Sequence, residues 1–586
     1  MNSLINIKFD ELSYSVEEIF FKDRKKEILK RISGNFYGSE LTAILGPSGS
    51  GKSTLMNLLF GFEQKYVCGT ISMNGCSINK FRRNIVYITQ ENNLQPLLTV
   101  GESMNFAIKF KIGNQMNSFK KWIKIAEILK SFGLFEVESE YVKNLSGGQQ
   151  KRLSIALEIV DDPKVIFLDE PTTGLDSVSS TICINLMRQL AQEGKTVVCT
   201  IHQPTTNQLK SFSHLYILAN GECAYQGNGK NLVPFLSELN LICPSTFNPA
   251  DFLLETVTGI YGQEHISKLI EKIDNGKNEN FRTKKSIEID DSDSLEAVAI
   301  YNSSTYSPSF LSKFNDLLVR NFIIMFRDKS LFKIRMFMHI MTGLLLGLLY
   351  YDIGNDAQNI IDNFRLIFVA LSFLTYTAYY SIMVAFPLNF SSVRRETFNR
   401  WYTPSIFYIN LILTDLPTLI LGIFAFILPM YYLTSQPLEF LRFATFSLIM
   451  TLNSICSQAF GLIAGSFAGL KQTLILAPVF MIFHGAFSGF YILKKDAHSI
   501  WHPFFEISYL KYAAYGSEMS ILGFNRTKME CNAIYCHYSS PGKFLQTLEY
   551  ASDMNDFITC VFMLVVNSII NFIFAYFLIK RRLKTK

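Results

Sequence analysis

Six apolar runs constrain this chain most, because each approaches the roughly 20 residues that an α-helix needs to cross a bilayer. They lie after about residue 330, at about 334–351, 366–388, 406–433, 442–469, 472–493 and 557–579. One such run also suits a buried core helix, yet six in succession favour a membrane bundle. Pro417 inside the third run is compatible with a span, since neighbouring helices can satisfy the carbonyl that a proline frees.

Charges between the runs orient them. "RDKSLFKIR" precedes the first run, "SSVRRETFNR" separates the second from the third, and "KRRLKTK" follows the last, whereas "DIGNDAQNIIDN" after the first run is acidic. Basic residues mark cytoplasmic ends, so we expect both termini in the cytoplasm and an external loop at about 494–556. We expect His484 to be the only acid or base deep in the spans, which argues against proton coupling or a charged substrate.

The chain before the spans has a different character. Residues 1–263 alternate short apolar strands, such as "LTAILG" and "KVIFLDEP", with helical patterns, which predicts an α/β domain. Residues 264–307 are polar and predict a linker, and residues 308–586 form the membrane domain. Charged residues make up only 18% of the 586, against about 25% in soluble proteins. The net charge of +6 gives no case for nucleic acid.

"GPSGSGKST" follows the strand "LTAIL" and fits the phosphate-binding P-loop pattern. Its glycines let backbone N–H groups converge on phosphates at the positive end of the next helix. We expect Lys52 to reach the β- and γ-phosphates of ATP and Ser53 to bind Mg²⁺. The alternative is a glycine-rich turn without a ligand. The predicted nucleotide-binding residues of this loop are Gly46, Pro47, Ser48, Gly49, Ser50, Gly51, Lys52, Ser53 and Thr54.

Polar residues end three other predicted strands. In "VIFLDEP", Asp169 is predicted to bind Mg²⁺. Glu170, one residue later, is predicted to polarise the attacking water. His202 in "TIHQP" is predicted to contact the γ-phosphate, and Gln90 in "VYITQEN" to bridge Mg²⁺ and a neighbouring domain. The alternatives are a structural histidine and strand-end acids that cap the next turn.

"NLSGGQQKR" at 144–152 is a second turn that enters a helix. Its residues Ser146, Gly147, Gly148 and Gln149 predict a second anion site at a helix N-terminus. The alternative is that Ser146 is a helix cap and nothing more.

The P-loop, "ITQ", "LSGGQ", "FLDEP", "GLDS" and "TIHQP", in this order, resemble an ATP-binding cassette. With "FNPADFLLE" and six following spans, almost the whole chain resembles a White-type subfamily G ABC half transporter. The resemblance implies an α/β P-loop cassette followed by an all-α six-span transmembrane bundle, and ATP hydrolysis with Mg²⁺ that drives transport. It also implies a dimer in which the "LSGGQ" turn of one chain covers the ATP at Lys52 of the other, with Asp176 in the D-loop. Tyr14 either stacks on adenine or is an ordinary strand residue.

"YDIGNDAQ", "YLTSQP", "AFSGFYIL" and "CNAIYCHY" look most like the branch that exports sterols and other lipids. The resemblance implies an apolar or amphipathic substrate, contact with membrane lipids, and a second copy or a related half transporter as partner. Alternatives are a pigment precursor, a xenobiotic, or an ATP-gated channel or membrane regulator. The plasma membrane is the expected location and an internal membrane the alternative. Cys531 and Cys536 either form a bridge or remain free thiols.

Aromatic residues recur in two spans. The second holds Tyr376, Tyr379 and Tyr380, and the fifth holds Phe480, Phe483 and Phe487 on one helix face. The family places a central apolar cavity between these spans, with Phe490 and Tyr491 where relatives have a hydrophobic plug. Lipid contact or ordinary packing is the alternative for each aromatic.

Overall fold

The computed structural model describes residues 4–18, 21–62, 66–244, 246–282, 308–467, 469–531, 535–548 and 553–584. The chain divides into two compact units. The first comprises Met1–Lys313 together with Phe398–Trp401, and the second comprises Phe314–Thr397 and Tyr402–Lys586. A four-residue segment from late in the sequence therefore belongs to the first unit.

The described residues of the first unit form ten strands. They are β1 Ile7–Glu18, β2 Phe21–Phe36, β3 Leu41–Leu45, β4 Val67–Met73, β5 Cys76–Ser77, β6 Ile85–Ile88, β7 Val165–Leu168, β8 Thr196–Thr200, β9 His214–Ala219 and β10 Glu222–Gly227. One sheet has the antiparallel order β2-β1-β4-β5, and the other has the order β10-β9-β3-β8-β7-β6. In the second sheet all neighbours are parallel except β10 and β9.

The described residues of the first unit also form helices. They are α1 Lys52–Phe60, α2 Ile78–Phe81, α3 Val100–Lys111, α4 Ser118–Ser131, α5 Gly147–Ile159, α6 Ser177–Gln192, α7 Thr206–Leu209, α8 Leu232–Glu238, α9 Pro249–Val257 and α10 Gln263–Ile273. Every residue of β3, β7 and β8 is buried, as continuous apolar strands between helices require. The carboxyl ends of parallel strands share one edge, and ligands bind at that edge in open α/β sheets.

The start of the predicted linker 264–307 folds with the first unit. In α10 the apolar residues Ile266, Leu269 and Ile273 are buried, at the spacing of one helix face. Beyond the helix, Arg282 forms a 2.9 Å ion pair with Glu40. The first part of the predicted linker is therefore an amphipathic helix, which its polar composition did not reveal. Residues 283–307 lie outside the described part of the chain.

The second unit is helical. Its helices are α11 Phe310–Arg327, which begins in the first unit, α12 Lys329–Leu349, α13 Ile360–Phe398, α14 Pro404–Leu433, α15 Phe440–Phe467, α16 Leu470–Ala486, α17 His502–Ile507, α18 Tyr509–Leu522, α19 Pro541–Thr547 and α20 Met554–Lys584. Five of these described helices are long and apolar enough to cross a membrane: α12, α13, α14, α15 and α20. Pro417 lies inside α14, the helix that corresponds to the third predicted span.

The predicted fifth span, 472–493, corresponds to α16, which has 17 residues and ends at Ala486. Gly489 follows with a φ of 86°, a left-handed conformation that ends a helix readily in glycine. The predicted end of this span was therefore about seven residues too late, and the count of six spans stays a prediction.

The segment 494–556, predicted as an external loop, contains the buried helix α18. Gly516 lets α18 approach α15 and α20 closely, because a Cβ there would lie 2.7 Å from Ile449 Cδ1 and 3.5 Å from Cys560 Cβ. The segment also contains a disulfide between Cys531 and Cys536, whose Cα atoms are 6.0 Å apart.

The expectation that His484 is the only ionisable side chain deep in the spans is wrong. Arg335 and His339 lie in α12, and Asp415 lies in α14, all within predicted spans. Arg335 Nη1 donates to Asp415 Oδ1 at 2.8 Å, and Gln458 Nε2 donates to Asp415 Oδ2 at 2.6 Å. The two charges neutralise each other, which is how charged groups are tolerated between membrane helices.

Candidate functional site

The P-loop joins β3 to α1 through three glycines with positive φ: Gly46, Gly49 and Gly51. A Cβ on Gly46 would meet the carbonyl of Leu218, and one on Gly51 would lie 2.7 Å from Leu29 Cδ2. Both positions therefore require glycine, for close approach as well as for φ. The loop thus keeps its backbone N–H groups at the N-terminus of α1, where anions bind.

Lys52, the first residue of α1, points back over this loop. Its Nζ donates to the carbonyls of Gly46 at 2.8 Å and Pro47 at 2.9 Å. Burial lowers the pKa of Lys52, and the nearby charges of Glu170 and Asp169 oppose that shift. Ser50 Oγ is buried without a hydrogen-bond partner among the described residues. An uncompensated hydroxyl and a buried cation at the N-terminus of α1 fit an anionic ligand.

Asp169 follows β7 and accepts hydrogen bonds on both oxygens. Its Oδ1 accepts from Thr200 Oγ1 at 2.7 Å and from Ser53 Oγ at 3.4 Å, and its Oδ2 accepts from the Tyr87 hydroxyl at 3.0 Å. The structure therefore brings Ser53 and Asp169 together, as the sequence predicts for a magnesium site.

Glu170 has a φ of 43°, which a non-glycine residue rarely adopts. Its Oε2 accepts from Gln90 Nε2 at 2.8 Å and from Thr173 Oγ1 at 3.1 Å, and its backbone N–H donates to Thr200 Oγ1. Strained backbone of this kind is concentrated at functional sites. The ends of β6, β7 and β8 thus converge on two adjacent carboxylates, as predicted.

His202 lies two residues after β8 at the same sheet edge. Its side chain is exposed and makes no hydrogen bond to a described residue. It is free to contact a ligand, and its role stays a prediction. Tyr14 lies in β1, paired with Leu29 and Val67 beside register shifts, so neither reading of that residue is tested.

The "LSGGQ" turn forms a capping box at the start of α5. Ser146 Oγ accepts from the Gln149 N–H at 3.3 Å, and Gln149 Oε1 accepts from the Ser146 N–H at 2.9 Å. Ser146 and Gly147 are exposed, whereas Gly148 is buried. Ser146 is therefore a helix cap, and the turn also leaves Gly147 exposed at the helix N-terminus.

Two glycines in this turn have different surroundings. A Cβ on Gly148 would lie 2.6 Å from Ser179 Oγ, whereas one on Gly147 would meet nothing nearer than Leu175 Cδ2 at 3.8 Å. Asp176 caps α6 by accepting from the Ser179 N–H at 3.0 Å, and this bond lowers the pKa of Asp176. Gly148 is thus needed for packing within the chain, while nothing within the chain requires glycine at 147.

Three residues that support the site were not predicted from the sequence: Thr200, Tyr87 and Lys151. Thr200 bridges Asp169 and Glu170, and Lys151 Nζ donates to the carbonyls of Thr89 at 2.9 Å and Gln90 at 3.0 Å. Burial lowers the pKa of Lys151 to about 8. Their position at strand ends or just after the "LSGGQ" turn was the only available signal.

Comparisons with known proteins match both units. Residues 29–173 match the family described as ABC transporter, and residues 313–522 match the family described as ABC-2 type transporter. The chain is 29% identical to ABC transporter G family member 26 of Arabidopsis thaliana, over 84% of this chain and 75% of that protein. It is 27% identical to Protein white of Ceratitis capitata, over 87% and 78%. It is 28% identical to the broad substrate specificity ATP-binding cassette transporter ABCG2 of Bos taurus, over 84% and 80%.

A P-loop cassette followed on one chain by an ABC-2 type membrane domain defines a membrane-spanning ABC transporter, whose cassette binds ATP and is an ATPase. Over most of its length the chain is similar to ABC transporters of the G family and to Protein white, so it resembles the White-type half transporters of subfamily G, which export substrates across membranes.

Proposed function

We propose that the chain is one half of a dimeric pump that uses ATP to export an apolar or amphipathic molecule, most simply a sterol or another lipid. One observation carries the proposal: an intact set of ATP-site groups shares the chain with apolar helices that expose aromatic side chains. Tyr376 on α13 is 43% exposed and Phe480 on α16 is 40% exposed. Such rings offer an apolar surface to a hydrophobic substrate.

The ATP-site residues have complementary chemistry. Lys52 binds the β- and γ-phosphates, and the other P-loop residues present backbone N–H groups to them. Ser53, Gln90 and Asp169 supply hydroxyl, amide and carboxylate oxygens, the ligands that Mg²⁺ prefers. When bound, Mg²⁺ neutralises charge that develops on the phosphates. Glu170 accepts a proton from the attacking water, and His202 contacts the γ-phosphate.

The second half of each site comes from a partner chain. Ser146, Gly147, Gly148 and Gln149 form the N-terminus of α5, where Ser146 and Gly147 are exposed, and a helix N-terminus stabilises negative charge. Asp176 lies next to that turn, since Gly148 and Asp176 both contact Ser179. We infer that this surface of one cassette closes over the ATP on the cassette of a second copy, or of a related half transporter.

The charges in the membrane helices are compatible with an uncharged substrate. Arg335 and Asp415 form an ion pair, so the pair adds no net charge to the helices. A lipid panel tests the substrate class: the purified chain should hydrolyse ATP continuously, and a sterol or another lipid should stimulate it. An ATP-gated channel or regulator would hydrolyse ATP without such stimulation. The panel should also include xenobiotics, because the name of the bovine relative describes a broad substrate specificity.

Replacing Tyr376 with Ala should reduce substrate stimulation several-fold and leave basal ATPase activity nearly unchanged, because an exposed ring contributes little to the fold. Phe574→Ala is the matched control, since that ring is 51% exposed on α20. We expect Phe487→Ala to reduce substrate stimulation as well, but Phe487 packs against Trp501, Phe504 and Phe505, so its removal should also lower Tm. Equal stimulation of wild type and Tyr376→Ala would remove Tyr376 from the substrate path.

The proposed topology places both termini in the cytoplasm and 494–556 outside, with the plasma membrane as the expected location. Asn525 in "NRT" is exposed just after α18, whereas Asn389 in "NFS" lies inside α13 and donates to the Ala385 carbonyl. Glycan should therefore be found on Asn525 and be lost in Asn525→Gln, as judged by peptide mapping. Glycan on Asn144, Asn302 or Asn389 would contradict the topology. The disulfide at Cys531 fits an oxidising exterior.

A further inference from the structure

Four residues at the end of α13 and just after it, Phe398–Trp401, belong to the first unit. Phe398 stacks on Phe62 with ring centroids 3.6 Å apart, and on Phe60 at 4.7 Å. Trp401 is 2% exposed, and its Nε1 donates to Glu158 Oε2 at 3.2 Å. The segment Phe398–Trp401 is therefore held by stacking at one end and by a buried hydrogen bond at the other.

Asn399, between these anchors, completes the edge of the parallel sheet. β6 is the last strand in the sheet order, so one side of it has no neighbouring strand among the described residues. Asn399 Oδ1 accepts from the Tyr87 N–H at 3.1 Å, and Asn399 Nδ2 donates to the Tyr87 carbonyl at 2.9 Å. Its amide thus replaces a neighbouring strand at one residue, and it satisfies two buried backbone groups that would otherwise be costly.

The same residue, Tyr87, reaches the predicted magnesium site. Its hydroxyl donates to Asp169 Oδ2 at 3.0 Å, while Ser53 and Thr200 bond the other oxygen. Tyr87 is 4% exposed, so this hydrogen bond is shielded from water. Its ring packs edge-on against Phe398 and Phe60. Tyr87 therefore contacts Phe398–Trp401 through its backbone and its ring, and it contacts Asp169 through its hydroxyl.

We propose that Tyr87 is a positioning residue that links the placement of Phe398–Trp401 to the orientation of Asp169, and so to the binding of magnesium and ATP. The proposal rests on the proposed function, in which Asp169 serves Mg²⁺. A shift of Phe398–Trp401 would displace Tyr87 through its hydrogen bonds with Asn399. The Tyr87 hydroxyl would then change the orientation of the Asp169 carboxylate. Groups that orient metal ligands in this way typically change metal affinity about 10–100-fold when removed.

The test compares the affinity of the full-length protein for a non-hydrolysable ATP analogue with Mg²⁺ and in EDTA. The ratio of the two affinities measures how well the site uses Mg²⁺, without any turnover. Tyr87→Phe keeps the ring and removes the hydroxyl, so it should lower the ratio about tenfold and leave the EDTA affinity unchanged. Tyr216→Phe is the matched control, because it removes a buried phenol that donates to the Ser33 carbonyl at 2.8 Å elsewhere in the cassette.

Asn399→Leu tests the other half of the link. It removes both hydrogen bonds to Tyr87 at similar volume, and it should lower the ratio in the same direction. In the double variant with Tyr87→Phe, the ratio should fall little further, since both changes break the same connection between Phe398–Trp401 and Asp169. Asn399→Ala serves the same purpose if the leucine variant does not fold, as judged by Tm. An unchanged ratio in Tyr87→Phe, an unchanged ratio in both Asn399 variants, or additive losses would each overturn the proposal. Failure of the proposed function is distinguishable, because the wild type would then show no preference for Mg²⁺.

Discussion

Glu170→Gln is expected to bind ATP normally and to hydrolyse it about 10²-fold more slowly or worse, the usual scale for a general base. Glu170 Oε2 accepts hydrogen bonds from Gln90 and Thr173, and a glutamine keeps one oxygen and the same shape for those contacts. What it loses is basicity toward water. The measurement is steady-state ATPase activity, together with binding of a fluorescent ATP analogue.

A matched control separates this effect from a general loss of charge in the cassette. Glu193→Gln also removes a carboxylate from the same unit, where the exposed Glu193 pairs with the buried Lys195 at 3.1 Å. Lys195 keeps a second carboxylate partner, Asp162, at 3.1 Å, so turnover should be unchanged. Turnover in Glu170→Gln equal to that of the control would mean that another group activates the water.

The sequence predicted those parts of the site that local geometry determines. A P-loop must follow a buried strand and open a helix, so Gly46, Gly51 and Lys52 could be placed from their order alone. Polar residues after other buried strands must meet at the same sheet edge, which brought Gln90, Asp169 and Glu170 together.

Contacts between distant parts of the chain could not be predicted in the same way. Asn399 lies 312 residues from Tyr87 in the sequence, and no periodicity marks it as a partner of β6. Thr200 and Tyr87 are ordinary strand residues until the fold places Asp169 beside them. Arg335 and Asp415 were visible in the sequence, but the apolar average of each span concealed them.

The largest effect is expected from mixing two inactive chains. Lys52→Met removes the charge that holds the β- and γ-phosphates. Gly147→Asp places a carboxylate on an exposed turn where the chain itself has room for a side chain, since the nearest atom to a Cβ is 3.8 Å away. This variant should therefore fold, yet its carboxylate should repel the phosphates of a partner's ATP. Gly147→Asn is the matched control, because it has the same shape without the charge.

Neither variant alone should trap nucleotide above background, because every site in its homodimer contains one defective half. In a mixed dimer one site combines the intact Lys52 of one chain with the intact Gly147 of the other, and the second site carries both defects. Random assembly at equal expression makes about half of the dimers mixed, so about a quarter of all sites should be restored. Trapping of labelled ATP measures this directly. The wild-type chain must first trap ATP when expressed alone, which shows that it assembles with itself. Background trapping in verified mixed dimers would then mean that each chain uses its own "LSGGQ" turn, and the two-chain site would be wrong.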